Sequence, residues 1–142
     1  MSRRLMILAL CSLSGSCGQH GPTAPMPSMT GVWEARVPNT HTNVYYLSLV
    51  QNGSDVQGTA CHEDNGPGVI FRGIPVSGVY PTVLFTVTLA DANDQPLLER
   101  FTGRLTGSGQ ILGTMSSPYA SMDLTFTHLG SAVPAFCSVG PA

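Results

Sequence analysis

From Gly31 to Leu129 the chain repeats one pattern, in which short segments carry apolar residues at every second position. This period of two is typical of β-strands, because successive side chains of a strand point to opposite faces of the sheet. No segment has a stronger period of three to four residues, which would indicate an amphipathic helix. The pattern predicts eight strands, at residues 31–37, 44–51, 55–62, 69–80, 82–90, 97–106, 111–117 and 122–129.

Short connections separate these predicted strands, and they include turn sequences such as Asn-Gly-Ser-Asp at 52–55. Short connections force consecutive strands to pair antiparallel, which predicts a meander. An open sheet of eight strands would expose two edges, whereas closure removes them. The sequence therefore predicts an all-β domain, an eight-stranded antiparallel up-and-down β-barrel in which strand 1 pairs with strand 8. A bend is expected at Pro75, which cannot donate to a sheet ladder.

The first residues have the composition of a secretory signal. Arg3 and Arg4 precede a short apolar run that cannot span a bilayer as a helix, and small residues lead up to Cys17. The arrangement resembles the lipobox of bacterial lipoproteins. This resemblance implies a signal peptide at 1–16, a lipid anchor on Cys17 and, because Gly18 follows, location in the outer membrane. The alternative is an ordinary secreted or periplasmic protein that is cleaved further along the chain.

The remaining chain divides into three parts. Residues 17–30 are rich in Gly, Pro and Ser and lack periodicity, which predicts a flexible tether. Residues 31–129 form the predicted barrel domain, and residues 130–142 form a C-terminal tail. Without the signal, four arginines remain against eight acidic residues, a net charge of 4 − 8 = −4. Because no basic stripe exists, nucleic acid is not an expected partner.

The motifs of the predicted strands support a family resemblance. Gly-Val-Trp at 31–33 and Leu-Ser-Leu-Val-Gln-Asn-Gly-Ser-Asp-Val-Gln-Gly-Thr at 47–59 resemble a group of small bacterial envelope proteins. Their arrangement is similar to that of calycin barrels, the lipocalin and avidin group, and the resemblance covers about residues 30–129. It implies that Trp33 plugs the lower end of the barrel. The alternative role of Trp33 is a platform on which a ligand stacks.

Candidate chemistry is sparse in this sequence. The predicted inner face is apolar, with the phenol of Tyr45 as its one ionisable group, so enzymatic activity and cofactors are not expected. Cys-His-Glu-Asp at 61–64 is interpreted as a polar loop after a strand, because adjacent strand residues converge poorly on one metal ion. Three arginines are expected on the outer face, paired with surface acids such as Glu99. They are Arg72, Arg100 and Arg104.

A disulfide between Cys61 and Cys137 is also predicted. Signal cleavage would remove Cys11, and the lipid would use the thiol of Cys17, which leaves two thiols in an oxidising compartment. Strands 3 and 8 run in opposite directions, so the tail must cross the height of the barrel to reach Cys61. Alternation directs Cys61 outward, so we expect the tail along the outer wall. Val133 and Phe136 of the tail are expected to pack there.

Two functions from different classes follow from the interior. If inner glycines leave a cavity, the barrel binds a small apolar ligand, as lipocalins do. If aromatic side chains fill that space, the barrel acts by its surface, as a partner of an envelope protein or an inhibitor of a secreted enzyme; this is the preferred hypothesis. The glycines are Gly58, Gly73, Gly103 and Gly113, and the candidate ligand-lining residues are Phe71, Phe85, Phe101 and Met115.

Overall fold

The structure is a computed structural model that describes residues 27–40, 43–64, 69–90, 96–132 and 134–138. These residues form eight strands that close into one barrel in chain order. The strands are β1 (Gly31–Arg36), β2 (Val44–Asn52), β3 (Asp55–Asp64), β4 (Val69–Val79), β5 (Thr82–Ala90), β6 (Pro96–Leu105), β7 (Ile111–Ser116) and β8 (Ser121–Gly130). In these ranges no helix has the length and apolar character needed to cross a bilayer.

Every strand pairs antiparallel with the next, and β1 closes the barrel by pairing with β8. The closing pairs join Val32 to Gly130, Trp33 to His128 and Glu34 to Thr127. This confirms the predicted meander barrel. The strand bounds agree with the predicted ones to within two residues. The largest difference is in β3, which continues two residues beyond its predicted end, to Asp64.

Alternation of buried and exposed residues separates the two faces of the barrel wall, most regularly in β6. Along β6, Phe101, Gly103 and Leu105 are buried while Arg100 and Thr102 are exposed. A shift of one residue would turn the whole apolar set outward, so burial of one face fixes the pairing register. The core that results contains Trp33 and three stacked or edge-packed phenylalanines.

β4 departs from regular pairing. The register against β3 shifts between the pairs Ala60–Ile74 and His62–Phe71, so two β4 residues, Arg72 and Gly73, oppose one β3 residue. Gly73 has φ +64° and is exposed, a backbone conformation that glycine tolerates and other residues rarely adopt. The prediction that Gly73 faces the interior is therefore wrong, because the bulge reverses the alternation at that point.

The segment after β8 forms a short 3-10 helix, Ala135–Cys137, which follows Pro134. Cys137 is buried against β2 and β3, in a small second core outside the barrel. The tail thus packs against the outer wall, as the sequence predicted.

Candidate functional site

The two ends of the barrel differ. At the lower end lie the β2–β3, β4–β5 and β6–β7 turns and the residues that precede β1. At the upper end lie the β1–β2 and β7–β8 connections. The last residues of β3 and β5 and the first residues of β4 and β6 also lie there. The predicted lipidation site, Cys17, lies outside the described residues.

The lower end is closed by residues 27–30, here called the strap. The indole N–H of Trp33 donates to the carbonyl oxygen of Met29 at 2.9 Å, and the Met29 N–H donates to Oε1 of Gln51 at 2.9 Å. The hydroxyl of Tyr80 donates to the carbonyl oxygen of Pro27 at 3.1 Å. Met29 is fully buried, and Trp33 is 2% exposed. Pro27 and Met29, inside the range predicted as tether, therefore contact the barrel.

The interior holds three of the four predicted ligand-lining residues in its packed core. Phe85, Phe101 and Met115 are at most 1% exposed, while Phe71 is half-buried near the upper end. The ring of Phe101 stacks on Phe85 with centroids 5.1 Å apart and meets Phe126 edge-on at 5.2 Å. Ring packing of this kind is stabilising beyond the apolar area that it buries.

Phe101 also occupies the space beside two inner glycines. A Cβ atom placed on Gly103 would lie 2.5 Å from two atoms of the Phe101 ring. A Cβ atom on Gly113 would lie 2.6 Å from the same ring and 2.5 Å from the Gly103 backbone. The glycines therefore provide room for the phenylalanine, and the room is filled.

The upper end contains polar groups that the sequence analysis did not place inside. His62 is 1% exposed and points inward, because it pairs with Tyr45 within β3 and alternates with the outward Cys61. Its ring stacks on Tyr45 with centroids 3.9 Å apart and an angle of 3° between planes, and it stacks on Phe71 at 5.8 Å. Its Nε2 lies 2.6 Å from Oδ1 of Asn43. The interpretation of residues 61–64 as a loop is therefore wrong.

Tyr45 spans the upper opening. Its hydroxyl donates to Oε2 of Glu99 at 3.2 Å. β2 and β6 stand on opposite sides of an eight-stranded barrel, so this hydrogen bond crosses the interior. Glu99 belongs to the inner series of β6, between Leu97 and Phe101, and is not the outer-face acid that we expected. The extended alternation of β3 and β6 is the signal that could have identified His62 and Glu99.

A small pocket lies on one side of this hydrogen bond. Its volume is about 80 Å³, and its lining residues come from β6, β7, β8 and the β7–β8 connection. They are Glu99, Met115, Ser117, Ala120, Ser121 and Met122. Pockets for small-molecule ligands usually measure about 300–1,000 Å³. The upper pocket is therefore too small for such a ligand in this conformation.

The disulfide joins Cys61 to Cys137 with the two Cα atoms 5.6 Å apart, as predicted. Cys61 faces outward beside Tyr46, its β2 partner, and the ring of Phe136 meets Tyr46 edge-on at 5.6 Å. The predicted contact of Phe136 is thus present, while Val133 lies outside the described residues. The pKa of the Tyr46 phenol is raised by burial and, secondarily, by the nearby Glu34 carboxylate.

The outer arginines differ from expectation in their partners. Arg36 forms an ion pair with Glu34 at 2.8 Å. Arg72, Arg100 and Arg104 are exposed, and in the described part of the chain none of them has a carboxylate within 4.0 Å. The same described residues contain no group of three or more His, Cys, Asp or Glu side chains that could hold a metal ion.

Comparison of the chain with protein-family models, curated proteins and solved structures found no match to any of them. Its function must therefore be argued from its own geometry.

Proposed function

We propose that the chain is a non-catalytic envelope protein that binds another protein with the outside of its barrel. In this proposal a lipid on Cys17 anchors the protein to the bacterial outer membrane, and neither a cofactor nor nucleic acid takes part. The observation that carries the proposal is the filled interior, where the Phe101 ring packs against Gly103 and Gly113.

The size of the upper pocket supports surface binding over the alternative, a small apolar ligand held as in lipocalins. The larger clefts, of about 360–540 Å³, lie among exposed wall residues such as Gln57, Thr114 and Arg104. The upper pocket offers about 80 Å³, whereas typical ligand pockets need about 300 Å³ or more. A ligand among the proposed lining residues would have to displace Phe85 or Phe101, both at most 1% exposed. Displacing a packed aromatic side chain costs about 3–5 kcal/mol, by analogy with its removal.

The burial and the contacts of His62 and Tyr45 support a non-catalytic role. A general acid or base must come within hydrogen-bond reach of the proton that it transfers. The imidazole of His62 lies between two aromatic rings and is 1% exposed. Tyr45 is equally buried, and its hydroxyl is bonded to Glu99. A substrate in the upper pocket would therefore contact the carboxylate of Glu99, but neither the imidazole of His62 nor the hydroxyl of Tyr45 would be accessible to it.

Native mass spectrometry of the protein purified from its own envelope tests the filled interior. We expect the mass of the chain with its lipid and no further bound molecule. A Phe101→Ala variant is the positive control, because a cavity of about 150 Å³ lined by apolar groups binds benzene. Benzene should raise the melting temperature of Phe101→Ala and leave that of the parent unchanged. A stoichiometric apolar molecule on the parent protein would overturn the proposal.

Chemical cross-linking in intact cells tests the binding of a protein. We expect one defined adduct, which an excess of purified barrel domain, residues 27–142, competes away. The matched control is the same domain unfolded by reduction and urea, which should not compete. Absence of any competed protein adduct, together with a recovered small molecule, would favour the alternative function.

A further inference from the structure

The barrel wall has an incomplete seam between β4 and β5. Among the described residues, these two strands pair at Val76–Phe85 and Ser77–Leu84 alone, near the lower end. Above these pairs both strands continue, β4 to Val69 and β5 to Ala90, without pairing with each other. We call residues 70–75 and 86–89 the seam. In the part of the chain that the structure describes, each edge of the seam has a strand partner only on its far side, β3 or β6.

Two residues of β4 account for the open seam. Pro75 has no N–H, and the β4–β5 ladder ends at the residue next to it. Two residues further on, Gly73 forms the bulge with φ +64°. A bulge bends its strand and increases the local twist, which directs the upper half of β4 away from β5. The seam is thus a consequence of the sequence of β4.

We propose that the seam receives an extended segment of a partner protein, which pairs with the exposed strand edge by strand addition. The inference rests on the proposed function and names the kind of partner. A strand edge presents unpaired N–H and C=O groups, and an added strand supplies hydrogen bonds to them. The main-chain hydrogen bonds provide affinity, and the alternating side chains provide specificity.

Each of the two strands beside the seam is paired with its other neighbour, so strand addition does not require either strand to unfold. The upper half of β4 pairs with β3, which the Cys61–Cys137 disulfide fastens to the tail. The upper half of β5 pairs with β6 without interruption up to Ala90–Pro96. A preorganised edge of this kind lowers the entropic cost of binding.

The inner side of the seam selects apolar side chains. Ile74 and Val87 point into the barrel and are 9% and 1% exposed. Phe71 and Leu89 also pack against the core and are half-buried. An added strand that continues this wall would direct every second side chain toward the half-buried Phe71 and Leu89, because Ile74 and Val87 are already packed in the filled core. Those side chains must therefore be apolar.

The outer side of the seam selects acidic side chains. Arg72 lies on the β4 edge, and Arg100 is the cross-strand partner of Thr86 on the β5 edge. Both arginines are exposed, and no carboxylate within the described ranges lies within 4.0 Å of either. Cross-strand pairs of opposite charge are stabilising. The partner segment should therefore alternate apolar residues with Asp or Glu.

A synthetic seven-residue peptide, in which valine and isoleucine alternate with glutamate, is the probe. Fluorescence anisotropy with the disulfide-bonded protein should give saturable binding. Hydrogen exchange should show new protection of amides in residues 71–74 and 86–89. A peptide with lysine in place of glutamate should bind more weakly, and a peptide N-methylated at alternate residues should not bind, because it lacks the donors that strand pairing needs.

Three variants locate the binding. Arg72→Glu should weaken binding of the glutamate peptide by about tenfold, because a like charge replaces an opposite one across the interface. Arg104→Glu, the same charge change at an exposed position nearer the lower end, is the matched control and should leave binding unchanged. Pro75→Val restores an N–H and should extend the β4–β5 ladder, which would close the seam and abolish binding.

Equal binding of the glutamate and lysine peptides, protection elsewhere in the barrel, or a peptide-independent dimer through the seam would overturn this inference. If the cross-linked partner of the intact cell persists with Pro75→Val, the seam is wrong while surface binding stands. If the cell contains no cross-linked partner but the peptide binds, the proposed function is wrong while the seam remains a strand-binding site.

Discussion

Substitution of Gly103 by alanine tests the packing that supports the proposed function. The added Cβ would lie 2.5 Å from Cε1 and Cζ of Phe101, whereas ordinary contacts of a Cβ atom begin at 3.4 Å. The ring would have to move by 3.4 − 2.5 = 0.9 Å. Phe85 and Phe126, with centroids 5.1 and 5.2 Å away, limit that movement.

Overpacking of a filled core costs about 1–3 kcal/mol. For a domain of this size that loss lowers the melting temperature by about 5–15 °C. Urea unfolding followed by the fluorescence of Trp33, the one tryptophan, measures the loss in free energy of unfolding. Gly107→Ala is the matched control, because a Cβ atom there has nothing within 4 Å, and this variant should be neutral or slightly stabilised.

A double-mutant cycle identifies Phe101 as the cause. Phe101→Leu removes part of the ring, so in the Gly103→Ala background it should cost less than it costs alone. The coupling free energy should be about 0.5–3 kcal/mol, as for residues in contact. If Gly103→Ala unfolds at the same urea concentration as Gly107→Ala, or if the two sites do not couple, the Phe101 ring does not fill the space beside Gly103.

Three further predictions concern other parts of the molecule. Replacing Cys61 and Cys137 together by alanine opens a loop of 76 residues and should lower the free energy of unfolding by up to about 4–5 kcal/mol, measured by urea unfolding without reductant. Burial and Glu34 raise the pKa of Tyr46, so the unfolded chain loses that proton first; stability should fall as the pH rises above about 10, and Tyr46→Phe should reduce the fall. Cys17→Ser should move the protein from the membrane fraction to the soluble fraction, and firm retention on membranes would contradict the anchor.

The sequence predicts the barrel because alternation and turn spacing are local properties. Each strand satisfies its own pattern, and closure follows from the need to cover the edges. The disulfide could also be predicted, since the outward direction of Cys61 follows from the same alternation. The four residues of the strap were missed because Gly, Pro and Ser composition indicates flexibility, whereas the buried Met29 and the hydrogen bond from Trp33 are tertiary contacts.

The upper end was harder to predict because strand ends have weak local signals. His62 stands among Cys, Glu and Asp residues, a polar run that favours a loop, yet pairing with Tyr45 carries β3 past it. Glu99 was assigned to the surface by its charge, although its position two residues before Phe101 directs it inward. Gly73 was assigned to the interior by alternation, which a bulge interrupts. Each error arises where a tertiary contact overrides the local pattern.

The strap closes the lower end of the barrel and the seam occupies the upper half of β4 and β5, which relates the anchor to the binding surface. A lipid on Cys17 would be joined to Pro27 by ten residues, which reach at most about 35 Å when fully extended. The strap contacts Trp33 and Tyr80 at the lower end, so that end would stay near the bilayer. Along β5 the seam begins four residues from the lower strand end and ends seven residues from it, about 13–23 Å further out along the strand. An extended segment of a partner protein could therefore reach the seam without passing between the barrel and the membrane, whereas a lipid leaving that bilayer would first meet the end closed by Trp33 and Met29.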